Sequence, residues 1–122
     1  MPNSDKIIVA LDVPSDIDAF LLIGQLSSRF KWFKIGLELI ISQQANQVIE
    51  CVKAYGGNIF LDTKLNDIPN TVGRTVVKVA PIIDMINLHA LCGVQAMRAA
   101  VENAGDAKVL AVTILTSLSS AS

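Results

Sequence analysis

Asn58-Ile59-Phe60-Leu61-Asp62-Thr63-Lys64-Leu65-Asn66-Asp67-Ile68-Pro69-Asn70-Thr71 is the stretch on which the reading of this chain turns. Its apolar start, residues 58–61, reads as a buried strand that runs directly into Asp62, Lys64 and Asp67. Residues two apart on a strand point to one face, so Asp62 and Lys64 are expected side by side. Opposite charges at the end of a buried strand are costly to desolvate unless they pair or do chemistry. Asp67 falls in the turn that follows, which Pro69 keeps out of strand geometry at the start of the next helix. A bare Asp-x-Lys is most simply a structural ion pair. The full string Asp-x-Lys-x-x-Asp-Ile-Pro-Asn-Thr is far more specific and favours a catalytic cluster.

Outward from this stretch, short β-branched runs alternate with longer helical patterns. Residues 7–11 read as a first strand. Ser15 offers an N-cap, with Asp18 as its capping-box partner, for a helix to about residue 28. Ile17, Phe20, Leu21, Ile23 and Leu26 are expected to supply the apolar face of that helix. Residues 32–37 read as the second strand and 44–55 as the second helix, closed by Gly56-Gly57. The third strand, 58–64, leads to a helix over 68–80. A fourth strand over 85–89, a fourth helix over 93–104 and a fifth strand over 109–115 complete the series. Trp32 and Met97 fall at packing positions. Strands alternating with helices of this length imply βαβ units with right-handed crossovers and a parallel sheet.

Such a sheet belongs either to a doubly wound fold or to a barrel. The first strand is followed by Leu11-Asp12-Val13-Pro14-Ser15, with none of the glycines of a dinucleotide-binding turn. Nearly every strand ends in a polar residue: Asp12, Lys34, Asp62 with Lys64, His89, and Thr113 or Thr116. Barrel enzymes gather their catalytic groups at the carboxyl ends of the strands. The expected fold class is therefore α/β, a parallel (β/α)8 TIM barrel of which residues 1–122 carry about the first half. That half comprises five strands and four helices in a single partial domain.

Composition narrows the function. Hydrophobic residues make up 52% of the 122 and charged residues 17%, with a net charge of −1. Burial is plentiful, and no basic stripe or aromatic platform suggests nucleic acid. No run approaches the roughly 18 apolar residues of a membrane helix. Met-Pro-Asn-Ser-Asp-Lys leads into a strand rather than a signal-peptide core, so a cytoplasmic location is expected. Cys51 and Cys92 lack metal-ligand spacing and read as buried free thiols of a reducing compartment.

The sequence resembles the bacterial orotidine 5′-monophosphate decarboxylases, over their amino-terminal half. The matching residues are Val9-Ala10-Leu11-Asp12, Phe33-Lys34-Ile35-Gly36, the string from Phe60 to Thr71, Asn87-x-His89-Ala90 and Val112-Thr113-x-Leu115-Thr116-Ser117. The resemblance implies cofactor-free and metal-free decarboxylation of orotidine 5′-monophosphate to UMP, in de novo pyrimidine biosynthesis. It implies a catalytic network of Lys34, Asp62, Lys64 and Asp67, with Lys64 as the proton donor. Asp12 and Lys34 would bind the ribose hydroxyls, and Thr116 would lie against the pyrimidine. Asp67, Ile68 and Thr71 would be donated across a homodimer interface into the partner's site. His89 lies on the ribose side, where a substrate contact and a hydrogen-bonded core histidine are equally good readings.

A complete barrel needs about 250 residues. Residues 1–122 are thus expected to be a fragment that holds the chemical centre and lacks the phosphate-binding half. Two further readings compete. One is an inactive half-barrel that folds by self-association. The other is a magnesium-dependent enzyme like the keto-gulonate-phosphate decarboxylases, which share Asp-x-Lys-x-x-Asp; the Ile68-Pro69-Asn70-Thr71 string argues against it.

Overall fold

The computed structural model describes residues 3–120. Its five strands are β1 (Ile8–Ala10), β2 (Trp32–Ile35), β3 (Asn58–Leu65), β4 (Met85–His89) and β5 (Lys108–Val112). They form one parallel sheet in the order β1-β2-β3-β4-β5. A doubly wound sheet reverses its strand order at a switch point. Here each strand lies beside its successor throughout, which is the order of a barrel wall.

The helices are α1 (Asp16–Leu26), α2 (Leu37–Ile41), α3 (Ala45–Ala54), α4 (Pro69–Val79) and α5 (Val94–Asn103), with short 3-10 turns at Ser4–Lys6, Ala80–Ile82 and Ala90–Cys92. Strand alternation divides the sheet into two unlike faces. Phe33, Ile35, Ile59, Leu61, Ile86 and Leu88 are all buried on the helix-covered face. Ala19 and Ile23 of α1, Val48 and Val52 of α3, Val72 and Val76 of α4, and Ala96 and Ala100 of α5 complete that core. The other face carries Lys34, Phe60, Met85 and Lys108 in register across four strands. It is concave: the Lys108 ammonium on β5 lies 6.0 Å from the centroid of the Trp32 ring on β2. Trp32 is therefore half-buried on the inner face in a cation–π contact, while Met97 packs against the helix-side core.

Several sequence expectations need correction. The second strand stops at Ile35, and Gly36 caps an additional short helix, α2, so the described chain has five α-helices where four were expected. Leu37-Glu38-Leu39 are better helix than strand formers, and Leu39 buries itself in the core. On α1, Ile17 and Leu21 are 65% and 61% exposed rather than on the apolar face. Small Ala19 lets the helix approach closely along the Ala19–Ile23 row, leaving both larger residues outside. The fifth strand runs over Lys108–Val112 rather than to residue 115. Val112 pairs with His89, the last residue of β4, so the chain beyond it has no adjacent strand to bond. Cys51 and Cys92 are free and half-buried rather than fully buried, and burial pushes the Cys51 thiol up.

Candidate active site

The carboxyl ends of the first three strands converge on one cluster of charge. Lys34 on β2 faces the concave side, with its Nζ 3.3 Å from Asp62 Oδ2 and 3.6 Å from Asp12 Oδ2. On β3, Lys64 Nζ donates to Asp62 Oδ1 at 2.7 Å. The result is an alternating row, Asp12–Lys34–Asp62–Lys64. Its members are not equivalent. The Asp62 side chain is 9% exposed and that of Asp12 is 64% exposed, so Asp62 is the desolvated centre and Asp12 a hydrated flank.

The Asp62–Lys64 contact does not arise from the plain alternation that the sequence suggests. β3 is registered with β4 at Leu61↔Ile86 and again at Leu65↔Leu88, so it spends two extra residues in between. Within this bulge Lys64 adopts φ 47°, the left-handed region that a side chain with a Cβ rarely enters. Asn87 of β4, 4% exposed, holds it there. Its Oδ1 accepts from the Thr63 and Lys64 N–H groups at 2.9 and 2.8 Å, and its Nδ2 donates to Asp62 Oδ1 at 2.8 Å. Thr63 Oγ1 closes the unit by donating to the Asn87 carbonyl. Sequence reasoning placed Asn87 in a motif but gave it no role. A polar residue inside an apolar strand, two before His89 and on the same face, was the available signal.

Burial works to raise the Asp62 pKa. Hydrogen bonds from Lys64, Asn87 and Lys34 outweigh it and hold the carboxyl below the usual carboxylate range. Asp62 is thus a fixed anion between two cations, and both of its oxygens are already engaged.

The remaining expected site residues, all among the described residues, make no hydrogen bond or ion pair to this cluster. Asp67 is exposed in the β3–α4 turn, where its Oδ1 accepts from the Ile68 N–H at 2.7 Å. Ile68 is 63% exposed, and Thr71 is exposed in the first turn of α4. Thr116 sits in an exposed turn beyond β5, and His89 ends β4 half-buried. A groove of about 470 Å³, bounded by Val77, Ile83, Asp84, Asn103 and Asp106, lies at the opposite end of the sheet from Lys34 and Lys64. Among the described residues, no three His, Cys, Asp or Glu side chains group as metal ligands.

The model of the orotidine 5′-phosphate decarboxylase / HUMPS family matches residues 5–122. The chain belongs to this family. An orotidine 5′-phosphate decarboxylase from Methylococcus capsulatus is 36% identical over 119 residues, which are 97% of this chain and 48% of that relative. One from Nostoc is 41% identical over an alignment of 127 positions that covers 96% of this chain and 52% of the relative. Among solved structures, orotidine 5′-phosphate decarboxylase from Lactobacillus acidophilus superposes with a TM-score of 0.81 at 35% identity, over 93% of this chain and 55% of that one. The chain thus spans about half the length of the curated relatives it matches. Family membership covers the whole Asp12–Lys34–Asp62–Lys64 row and the string to Thr71.

Proposed function

We propose that residues 1–122 form the amino-terminal half of an orotidine 5′-monophosphate decarboxylase that makes UMP in the cytoplasm without a cofactor. The observation that carries this reading is the buried Asp62 carboxylate gripped by two strand-end ammonium groups at 2.7 and 3.3 Å. Loss of CO2 from C6 of the pyrimidine leaves the C–C electron pair on a carbon with no carbonyl placed to receive it. A protein cation at that carbon must hold the charge and then quench it. Lys64, whose ammonium is held 2.7 Å from Asp62 at the strand end, is assigned both tasks. Its ammonium passes a proton to C6 and is recharged from water. Two unit charges about 4 Å apart interact by roughly 4 kcal/mol at an effective dielectric near 20. That is about three decades of rate from one contact, and the preorganised remainder of the row adds to it.

In this reading Asp12 and Lys34 bind the ribose hydroxyls, and Thr116 covers the pyrimidine. Asp67, Ile68 and Thr71, all exposed at the β3–α4 turn, reach into a partner's site in a homodimer. The exposure of Asp67, which forms no ion pair with the lysines of its own chain, supports that assignment. A magnesium-dependent alternative has to free Asp62 from its two ammonium partners before it can bind metal.

The test is decarboxylation of orotidine 5′-monophosphate by the full-length gene product in the presence of chelator. Lys64→Ala is expected to lose at least about a thousandfold in turnover with its circular dichroism unchanged. Activity within tenfold of wild type would remove Lys64 as proton donor, and activity abolished by chelation would overturn the cofactor-free reading.

A further inference from the structure

We propose that Asn87 is the positioning residue of this centre, holding Lys64 and Asp62 in the single arrangement in which the ammonium can serve C6. The inference rests on the decarboxylase reading and adds to it a residue that touches no reacting atom. Three observations carry it. The Asn87 carboxamide is buried in a strand whose neighbours Ile86 and Leu88 are core residues. All three of its hydrogen bonds go to the Asp62–Thr63–Lys64 segment, at 2.8–2.9 Å. That segment includes the left-handed Lys64, whose backbone would otherwise relax toward ordinary strand geometry.

The two ends of the carboxamide do different work. Oδ1 gathers two successive N–H groups and so fixes the bulge, which sets the direction in which the Lys64 side chain leaves the strand. Nδ2 shares Asp62 Oδ1 with Lys64 Nζ, which holds the carboxylate plane so that Oδ2 faces Lys34. Without the amide, Lys64 keeps its charge and its carboxylate partner but loses its fixed position. A misplacement of about 1 Å can cost around a hundredfold in rate.

Two variants separate this role from mere support of the fold. Asn87→Leu, close in volume and apolar, removes both functions. It is expected to lower kcat about a hundredfold while leaving KM nearly unchanged. Asn87→Asp keeps the acceptor and replaces the donor with a second carboxylate against Asp62. The groups facing that pair are Lys34, Lys64, Asp12 and, next on the same face of β4, His89; all four are common to wild type and variant. When the new pair holds one proton, its O–H donates as the amide did. The kcat of Asn87→Asp, divided by that of wild type, is therefore expected to rise as pH falls through the titration of the pair. A ratio flat with pH, or Asn87→Leu turnover within about threefold of wild type, would overturn the proposal. Carboxyl carbon-13 titration provides a readout that does not depend on turnover. The Asp62 midpoint should move upward in Asn87→Asp, and an unmoved midpoint refutes the role. Should the wild-type protein prove inactive on orotidine 5′-monophosphate, the decarboxylase reading fails and the positioning role with it, whereas an active wild type with an unmoved Asp62 midpoint refutes the role of Asn87 alone.

Discussion

Asp62 ties the stability of the protein to pH, and the sign follows from its neighbours. Its carboxyl is held below the ordinary aspartate value by Lys64, Asn87 and Lys34 against the opposing effect of burial. In the unfolded chain it titrates near pH 4. Between that value and the lower folded value the unfolded state binds more protons, so stability rises with pH there. The contribution is fully present above about pH 4 and is lost as pH falls through the folded midpoint. Urea melts of wild type and Asp62→Asn should therefore converge as pH is lowered from 6 toward 3. A gap of constant size would show that the carboxylate is not linked to folding. At this scale the sequence was partly legible. Asp62 and Lys64 announce a pair because their spacing is local. The left-handed backbone of Lys64 is not announced, because lysine carries no preference for that region and the group that holds it comes from Asn87, one strand further on.

The elements were legible where local chemistry decides them. Ser15 caps α1 as read: its Oγ accepts from the Asp18 N–H at 3.3 Å and donates to the Asp18 carboxylate at 2.9 Å. Pro69 opens α4 at its first turn, and Gly56 leaves α3 at φ 77°. The exposed side of α1 and the extra helix α2 were not legible, since both are settled by what packs beneath them. Glycines make the same distinction testable. A Cβ on Gly57, in the turn between α3 and β3, would stand 2.8 Å from Val52 Cγ1 and 3.0 Å from the Lys31 carbonyl oxygen. Val52 is fully buried and Lys31 O is backbone, so neither yields cheaply. Gly57→Ala is expected to cost about 1–3 kcal/mol. Gly24, mid-helix in α1, meets only the Tyr55 hydroxyl at 3.5 Å, so Gly24→Ala should instead stabilise by about 0.5–1 kcal/mol. Denaturation midpoints that moved in the same direction for both variants would contradict this packing.

At the scale of the whole molecule, the sheet has one face closed by helices and one face open. The missing glycine-rich turn pointed to a barrel wall, and the unbroken strand order bears that out. What the sequence could not display is how unequal the two faces are. Phe33, Ile59 and Ile86 are fully or almost fully buried under the helices, while Ile8 and Leu110 on the concave face remain 38% and 43% exposed. Around the carboxyl ends of the strands, Leu37, Ile41, Ile68, Leu91 and Ile114 are exposed as well. Five strands cannot close a barrel of eight, so in the 122-residue chain alone this apolar surface either finds a partner or stays wet. Association is favoured at roughly 25 cal/mol per Å² of apolar surface buried, and a stable interface covers about 800 Å² on each copy. The chain by itself is therefore expected to run as an oligomer on a sizing column. Its turnover of orotidine 5′-monophosphate is expected to be feeble at best. The Asp12–Lys34–Asp62–Lys64 row is in place, but under the proposed function five strands alone would bind substrate almost entirely through groups near the reacting carbon. Contacts remote from that carbon supply binding energy that is used in the transition state, so losing them lowers kcat as well as affinity. A monomer with the turnover of a complete decarboxylase would mean that neither the open face nor closure of the barrel matters, and that the charge row suffices for both binding and chemistry.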